Sequence, residues 1–321
     1  MIKPSTKLKV ITVHKLQDLT CLRRYFWHWI LNLEPKRLNL AFWWGGVIGA
    51  GFAAVLLGHH SDGILEAIEV ESKKRVRRHT VTLDDEREME VQKQLIWMLI
   101  EAARPICHRQ GLRLKKAEEK VCFRLTGSPV WFYGKLDGVG VHGKKSAIIE
   151  TKSASTINDD YLNAIVRSRQ VYSYAVAKSK KGNCPAECCY CIFHKPMKRV
   201  KQNQSINSFL AEMQEDIQKR AIWYFRLRPY TLSKNVILHT EKTLESSAKM
   251  LLAIYKSLGK DLLQPYSWPE ADERQCLTYG GCQYLLLCQS PDTWQVCAKH
   301  FYQQREFLYE IENEEVQNER I

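Results

Sequence analysis

Two short runs constrain this chain more than anything else in it: Trp131-Phe132-Tyr133-Gly134-Lys135-Leu136-Asp137 and Ala147-Ile148-Ile149-Glu150-Thr151-Lys152. Each is rich in aromatic or β-branched residues, as strands are, and each ends by presenting an acid. Gly143 with Lys144 and Lys145 supplies a turn, so the runs predict neighbouring strands. Side chains alternate across a strand, which puts Glu150 and Lys152 on one face and Ile149 and Thr151 on the other. A carboxylate from each strand, with an ammonium two residues on, is the inventory that holds a divalent cation beside a phosphate. An ordinary edge strand with a Glu-Lys pair facing solvent would use the same residues, so E-x-K alone does not decide.

The surroundings add to it. Val121–Phe123, Val130–Val141 and Ser146–Thr151 read as successive strands, and Cys188–Phe193 as a further one. Between them Asp159–Lys178 predicts one helix, on which Gln170 and Tyr174 lie four apart and share a face. Strands followed by a helix and another strand predict an α/β fold, a mixed central sheet flanked by helices. Other helices are expected over Asp84–Ala103, stopped before Pro105, over Ser205–Phe225 and over Thr243–Leu258. His59-His60-Ser61-Asp62-Gly63 reads as a turn. From Leu40 to Gly58 no side chain is charged, a length that suits either a membrane span or a helix buried in a core.

At 321 residues the chain can bury a core as one large domain or a domain with a small accessory part. Its net charge of +13 suits a polyanion, nucleic acid or an anionic membrane, and Lys73-Lys74-Arg75-Val76-Arg77-Arg78-His79 is the densest basic run. Eleven cysteines accompany an N-terminus, Met1 to Ser5, with no apolar run behind it, which argues against a secreted disulfide scaffold. In a reducing cytosol patterned cysteines more often bind metal. Cys276, Cys282 and Cys288 are equally spaced, and Cys21 precedes Leu22-Arg23-Arg24-Tyr25. Cys184, Cys188, Cys189 and Cys191 are crowded but read as core or surface thiols, and Cys107, Cys122 and Cys297 carry no pattern.

Asp137 at a strand end, Glu150-Thr151-Lys152, and then Gln170-Val171-Tyr172-Ser173-Tyr174 on a helix resemble the PD-(D/E)XK nuclease superfamily in its RecB-like branch. The resemblance is strongest over residues 131–177. It implies a restriction-endonuclease-like core in which Asp137 and Glu150 hold Mg2+ or Mn2+, Lys152 is the catalytic lysine, and Gln170 and Tyr174 position water or phosphate. Cys21 with Cys276, Cys282 and Cys288 resembles the four-cysteine iron-sulfur arrangement of AddB-type, CRISPR-associated RecB-like and related phage exonucleases, with Tyr279-Gly280-Gly281-Cys282 most like phage members. A [4Fe-4S] cluster is what that resemblance implies, and zinc would also suit four thiolates. A clip between residues roughly 250 positions apart would stabilise the folded chain by closing a long loop.

The domain plan that follows is a nuclease core over 1–270 with an N-terminal helical part, a cysteine-rich iron-sulfur segment over 271–300 completed by Cys21, and a charged tail over 301–321. The family also carries a G-x-x-x-H helix whose histidine is a metal ligand. Here the match is Gly45-Gly46-Val47-Ile48-Gly49, with Gly49 at the ligand position. Either the site works with two carboxylates and water, or another residue such as His59 reaches in. Leu136 also stands where the motif has proline. On this resemblance Leu40–Gly58 is a core helix and not a membrane span.

The expected function is a metal-dependent DNA exonuclease of recombination or repair. It would act on DNA ends or single strands, with a recombination or annealing partner, in the cytoplasm, the host's if the chain is phage-encoded. An endonuclease or resolvase using the same site, and a non-catalytic iron-sulfur DNA-binding protein on a degenerate nuclease fold, are the alternatives.

Overall fold

The computed structural model describes residues 7–269, 273–277, 281–290 and 292–305. Tyr279, Gly280 and the tail from Glu310 to Ile321 lie outside the described residues. The chain divides into two compact units, one of Leu38–Val121 and Lys135–Leu238, the other of Met1–Arg37, Cys122–Gly134 and His239–Ile321.

In chain order the elements are β1 (Val10–Ile11), α1 (Val13–Asp18), α2 (Leu22–Tyr25), β2 (Leu33–Pro35), α3 (Leu40–Leu56), α4 (Ser61–Val76) and α5 (Leu83–Arg109). Then come β3 (Leu112–Arg124), β4 (Trp131–His142), β5 (Lys145–Ala154), α6 (Asp159–Val166), α7 (Arg169–Lys180) and β6 (Glu187–His194). The chain continues through α8 (Ile206–Lys219), α9 (Ala221–Tyr224), β7 (Phe225–Thr231), α10 (Lys234–Leu258), α11 (Glu273–Leu277), α12 (Leu285–Gln289), α13 (Trp294–Phe301) and β8 (Tyr302–Gln304).

The first unit is built on a mixed sheet flanked by helices. β3 pairs β4, β4 and β5 form an antiparallel hairpin, β5 and β6 run parallel, and β7 returns antiparallel to β6. Register divides the sheet into two faces. Ile149 and Cys189 are partners, and with Ala147, Cys191, Phe193 and Phe225 they join an apolar core with residues of α3, α4, α5 and α8. On the other face Glu150 partners Tyr190, and Lys152 partners Ile192. The parallel β5–β6 pair needs a crossover, which α6 and α7 supply.

α3 begins where the Asn39 carboxamide oxygen accepts the amides of Ala41 and Phe42, and it buries Trp43, Val47, Ile48 and Phe52. Among the described residues no helix is long and apolar enough to cross a membrane.

Several boundaries differ from the sequence expectation. α5 runs through Pro105 to Arg109 instead of stopping before it. A proline inside a helix costs about 3 kcal/mol. Beyond Pro105, Cys107 is almost fully buried and Ile106 packs against the core, which offsets much of that cost at about 1–3 kcal/mol per apolar side chain buried. The helix expected over Asp159–Lys178 is two, α6 and α7. Ser168 leaves helical geometry at φ −60°, ψ 120°, and its hydroxyl caps the amide of Gln170. The helix expected over Ser205–Phe225 breaks near Arg220, and the missed strand β7 follows. β3 starts at Leu112 and not Val121, and α10 starts at Lys234 and not Thr243. The turn read at His59–Gly63 is the N-terminus of α4, with His60 at the cap.

β3 and β4 approach closely. A Cβ on Gly140 would stand 2.0 Å from the Arg113 carbonyl oxygen, a backbone atom that cannot swing aside. Gly140→Ala is therefore expected to cost about 3 kcal/mol, read as a lower denaturation midpoint with unchanged slope.

In the second unit β1 lies parallel to the start of β4, with Val10 beside Trp131 and Ile11 beside Phe132. β2 and β8 pair antiparallel. Tyr25, Phe26, Trp27, Trp268 and Tyr284 are buried together with little or no exposure. Asp18 holds Arg24, His28 and the Trp29 indole N–H at 2.7–2.8 Å, fixing α1 against the segment that follows it.

Candidate active site

The hairpin register sets Gly138 opposite Ile149, so Asp137, one step on, falls on the side of Glu150. Its carboxylate Oδ2 accepts the Thr151 amide at 2.9 Å. Glu150 is fully buried; its Oε1 takes the Lys152 ammonium at 2.6 Å, while its Oε2 has no hydrogen-bond partner among the described residues. Lys152 also donates to Gln170 Oε1 at 2.9 Å, and Gln170 Nε2 donates to the Tyr174 hydroxyl at 3.3 Å. The five residues singled out in the sequence for this site form one connected constellation on one face of the sheet. The break between α6 and α7 is what delivers Gln170, since Ser168 starts the helix that carries it.

The electrostatics follow from crowding. Burial, and then the charge of Asp137, push the Glu150 carboxyl up to about 7. Asp137 opens to solvent, yet protein packed around its carboxylate raises it, with Lys152 and the Thr151 amide pulling the other way. Burial alone would lower the Lys152 ammonium; the charge and hydrogen bond of Glu150, with Asp137, outweigh it and raise it.

Two hard carboxylate oxygens from adjacent strands, one of them buried and unpartnered, fit a divalent cation such as Mg2+ or Mn2+. Gly49 has open space where a side chain would extend, with nothing within 4 Å of a Cβ built there. His59 does not reach in: it sits in the turn before α4, against Gly63, with its carbonyl taking Arg104.

Cys21, Cys276, Cys282 and Cys288 lie near one another in the second unit. Burial raises the Cys282 thiol, and Cys21 and Cys276 add to the rise; burial raises Cys288 likewise, with Cys282 and Cys21 adding to it. The Cys282 amide donates to the Cys276 carbonyl at 2.9 Å, and the Trp27 indole N–H points at Cys288 Sγ, 3.2 Å away. Arg24 near Cys282 and Arg23 near Cys288 offset negative charge. Four thiols under cationic side chains fit an anionic thiolate-ligated centre.

Sequence reading passed over a second polar cluster. His142, Glu187 and Cys189 bring ligand atoms within 4.8 Å of one another. His142 Nδ1 is 2.6 Å from one Glu187 oxygen and the Lys145 ammonium 3.1 Å from the other, so this buried carboxylate is already matched. The cluster pins the β4–β5 hairpin to β6. Nothing in the sequence signals it, because the partners lie 45 positions apart. Cys188, Cys189 and Cys191 are core residues.

No protein-family model matches the chain, and no curated protein sequence matches it. Among solved structures, it is similar to a phage-related exonuclease from Haemophilus somnus 129PT at 15% sequence identity, covering 66% of this chain and 95% of that one, with a TM-score of 0.34. That likeness is too distant to carry an argument about function.

Proposed function

We propose that the chain is a divalent-metal-dependent nuclease that hydrolyses phosphodiester bonds of DNA, cutting from an end. The observation that carries the reading is Glu150, fully buried with one unpartnered oxygen, set beside Asp137 and Lys152 on a single sheet face. A bound Mg2+ or Mn2+ would polarise the scissile phosphate and make water more acidic. Hydrolysis adds water across the P–O ester bond, leaving a phosphomonoester and a hydroxyl.

Lys152 is held in its charged form, so it donates and does not serve as a base. An ammonium has three N–H groups. Glu150 and Gln170 take two of them, which leaves one to meet negative charge growing on the phosphate. Gln170, steadied by Tyr174, fixes where that N–H points.

The cysteine site is read as a [4Fe-4S] centre held by Cys21, Cys276, Cys282 and Cys288, serving as a structural clip. The net charge of +13 supports nucleic acid as the partner. A recombination or repair setting in the cytoplasm, with an annealing or recombination partner, is proposed with it on the family resemblance alone.

Digestion of matched linear and covalently closed circular DNA with Mg2+, Mn2+ or EDTA tests it. Loss of the linear substrate alone, and only with metal, is the expected result. Cutting of the circle would make the protein an endonuclease, and no cutting with any metal would overturn the nuclease reading.

A further inference from the structure

The face of the sheet that carries Glu150 and Lys152 does not end at β5. Tyr190 of β6 partners Glu150 and, on its other side, Arg228 of β7; Ile192 partners Lys152 and Arg226. Partners in register point to the same face, so Arg226 and Arg228 lie on the catalytic face, two strand spacings away, about 10 Å. Neither arginine has an ion pair among the described residues, and Arg228 is exposed.

Next to them the chain supplies an aromatic surface. His194 ends β6, where its partner is Ala154, two residues past Lys152. Its ring lies 3.9 Å from that of Trp223, and it feels the charges of Arg226 and Arg220. His194 Nδ1 is buried with no hydrogen-bond partner among the described residues. Arg220 lies over Trp223 at 4.7 Å and is braced by Asp216, while Trp223 keeps 39% of its surface exposed. The nearby acids are already matched, Glu212 with Lys198 and Asp216 with Arg220, so the surface is left net positive.

We infer that His194, Arg220, Trp223, Arg226 and Arg228 form a platform for an unpaired nucleic-acid strand, set apart from the carboxylates by the fully buried Tyr190 and Ile192. The two arginines would take backbone phosphates and Trp223 a base edge or face. An unpaired strand is the occupant because two arginines on the same face of β7, two residues and about 7 Å apart along the strand, match successive phosphates, while a half-exposed indole needs a base that is not already stacked in a duplex. The inference rests on the proposed nuclease reading for the direction of the strand, but not for the binding itself.

The test uses the full-length protein carrying Glu150→Gln, with Ca2+, and a labelled short single-stranded oligodeoxynucleotide, its duplex and the matching RNA, read by fluorescence anisotropy over a salt series. Arg226→Gln with Arg228→Gln is expected to weaken single-strand binding tenfold or more and to flatten the log–log salt slope by about 1.4, two contacts at about 0.7 each. Trp223→Leu should weaken binding without changing that slope, and Trp223→Phe should restore most of it; all variants should melt as the parent does. Unchanged affinity and slope in the double arginine variant would overturn the platform, as would duplex binding as tight as the single strand with the same losses. Equal RNA binding would keep the platform and remove its preference for DNA. Cleavage by the parent protein is scored separately. Cutting with an unaffected double arginine variant sinks the platform alone, and platform binding without any cutting sinks the nuclease reading alone.

Discussion

Glu150→Gln is expected to abolish cleavage, by about a thousandfold or more, and in the same protein to raise the stability of the metal-free chain at pH 8. The two effects share one cause. The Glu150 carboxyl sits at about 7 in the folded protein against an ordinary value of 4.5, first because it is buried and then because Asp137 is beside it. A group whose folded value is raised binds its proton more tightly when folded. Its contribution is intact below about pH 4.5 and is lost as pH rises through about 7. At pH 8 the ionised carboxylate therefore costs up to about 3 kcal/mol. Glutamine keeps the shape without the charge, so it recovers much of that cost, less whatever Lys152 loses with its partner. Denaturation of both proteins at pH 5 and pH 8, with and without Mg2+, checks this. A variant no more stable than the parent at pH 8 would mean that Glu150 is not held ionised against its burial.

The second large effect is expected at Cys282. Protein prepared anaerobically should be brown and contain iron and sulfide, and Cys282→Ser should lose both along with about 5 kcal/mol of stability, the entropy of closing a loop of this length. Cys282 suits the test because its amide already anchors to the Cys276 carbonyl and its thiol neighbours Cys21, so its loss unties both chain ends. Absorption, metal content and melting temperature read the result together. Colourless protein with stoichiometric zinc would replace the cofactor while leaving the clip, and metal-free protein of unchanged stability would remove the clip as well.

The two acid-bearing runs were legible because strand periodicity and strand ends are local properties. Glu150 and Lys152 share a face for that reason, and Gln170 and Tyr174 share one because they are four apart on a helix. What stayed hidden was non-local. The pattern over Asp159–Lys178 is amphipathic throughout, and only the Ser168 cap reveals the break that aims Gln170. Pro105 signals a helix end by local rules, and tertiary burial of its neighbours overrides it. β7 was missed where the expected helix ends at Phe225, although Phe225-Arg226-Leu227-Arg228 alternates with period two and could have been found by that signal. The pairing of Glu187 with His142 and Lys145 has no local signal at all.

The division of β5 between its two faces makes the chain's two obligations separable. Ala147 and Ile149 on one side belong to the apolar core, while Glu150 and Lys152 on the other bond to each other and, through Lys152, to Gln170, beside the buried Tyr190 and Ile192. Along this strand Ala147 and Ile149 answer for the apolar core and Glu150 and Lys152 for the proposed chemistry, with Ile148 buried on the latter's face. A lineage could therefore retune the proposed chemistry at Glu150 and Lys152 and keep the apolar face of the strand unchanged.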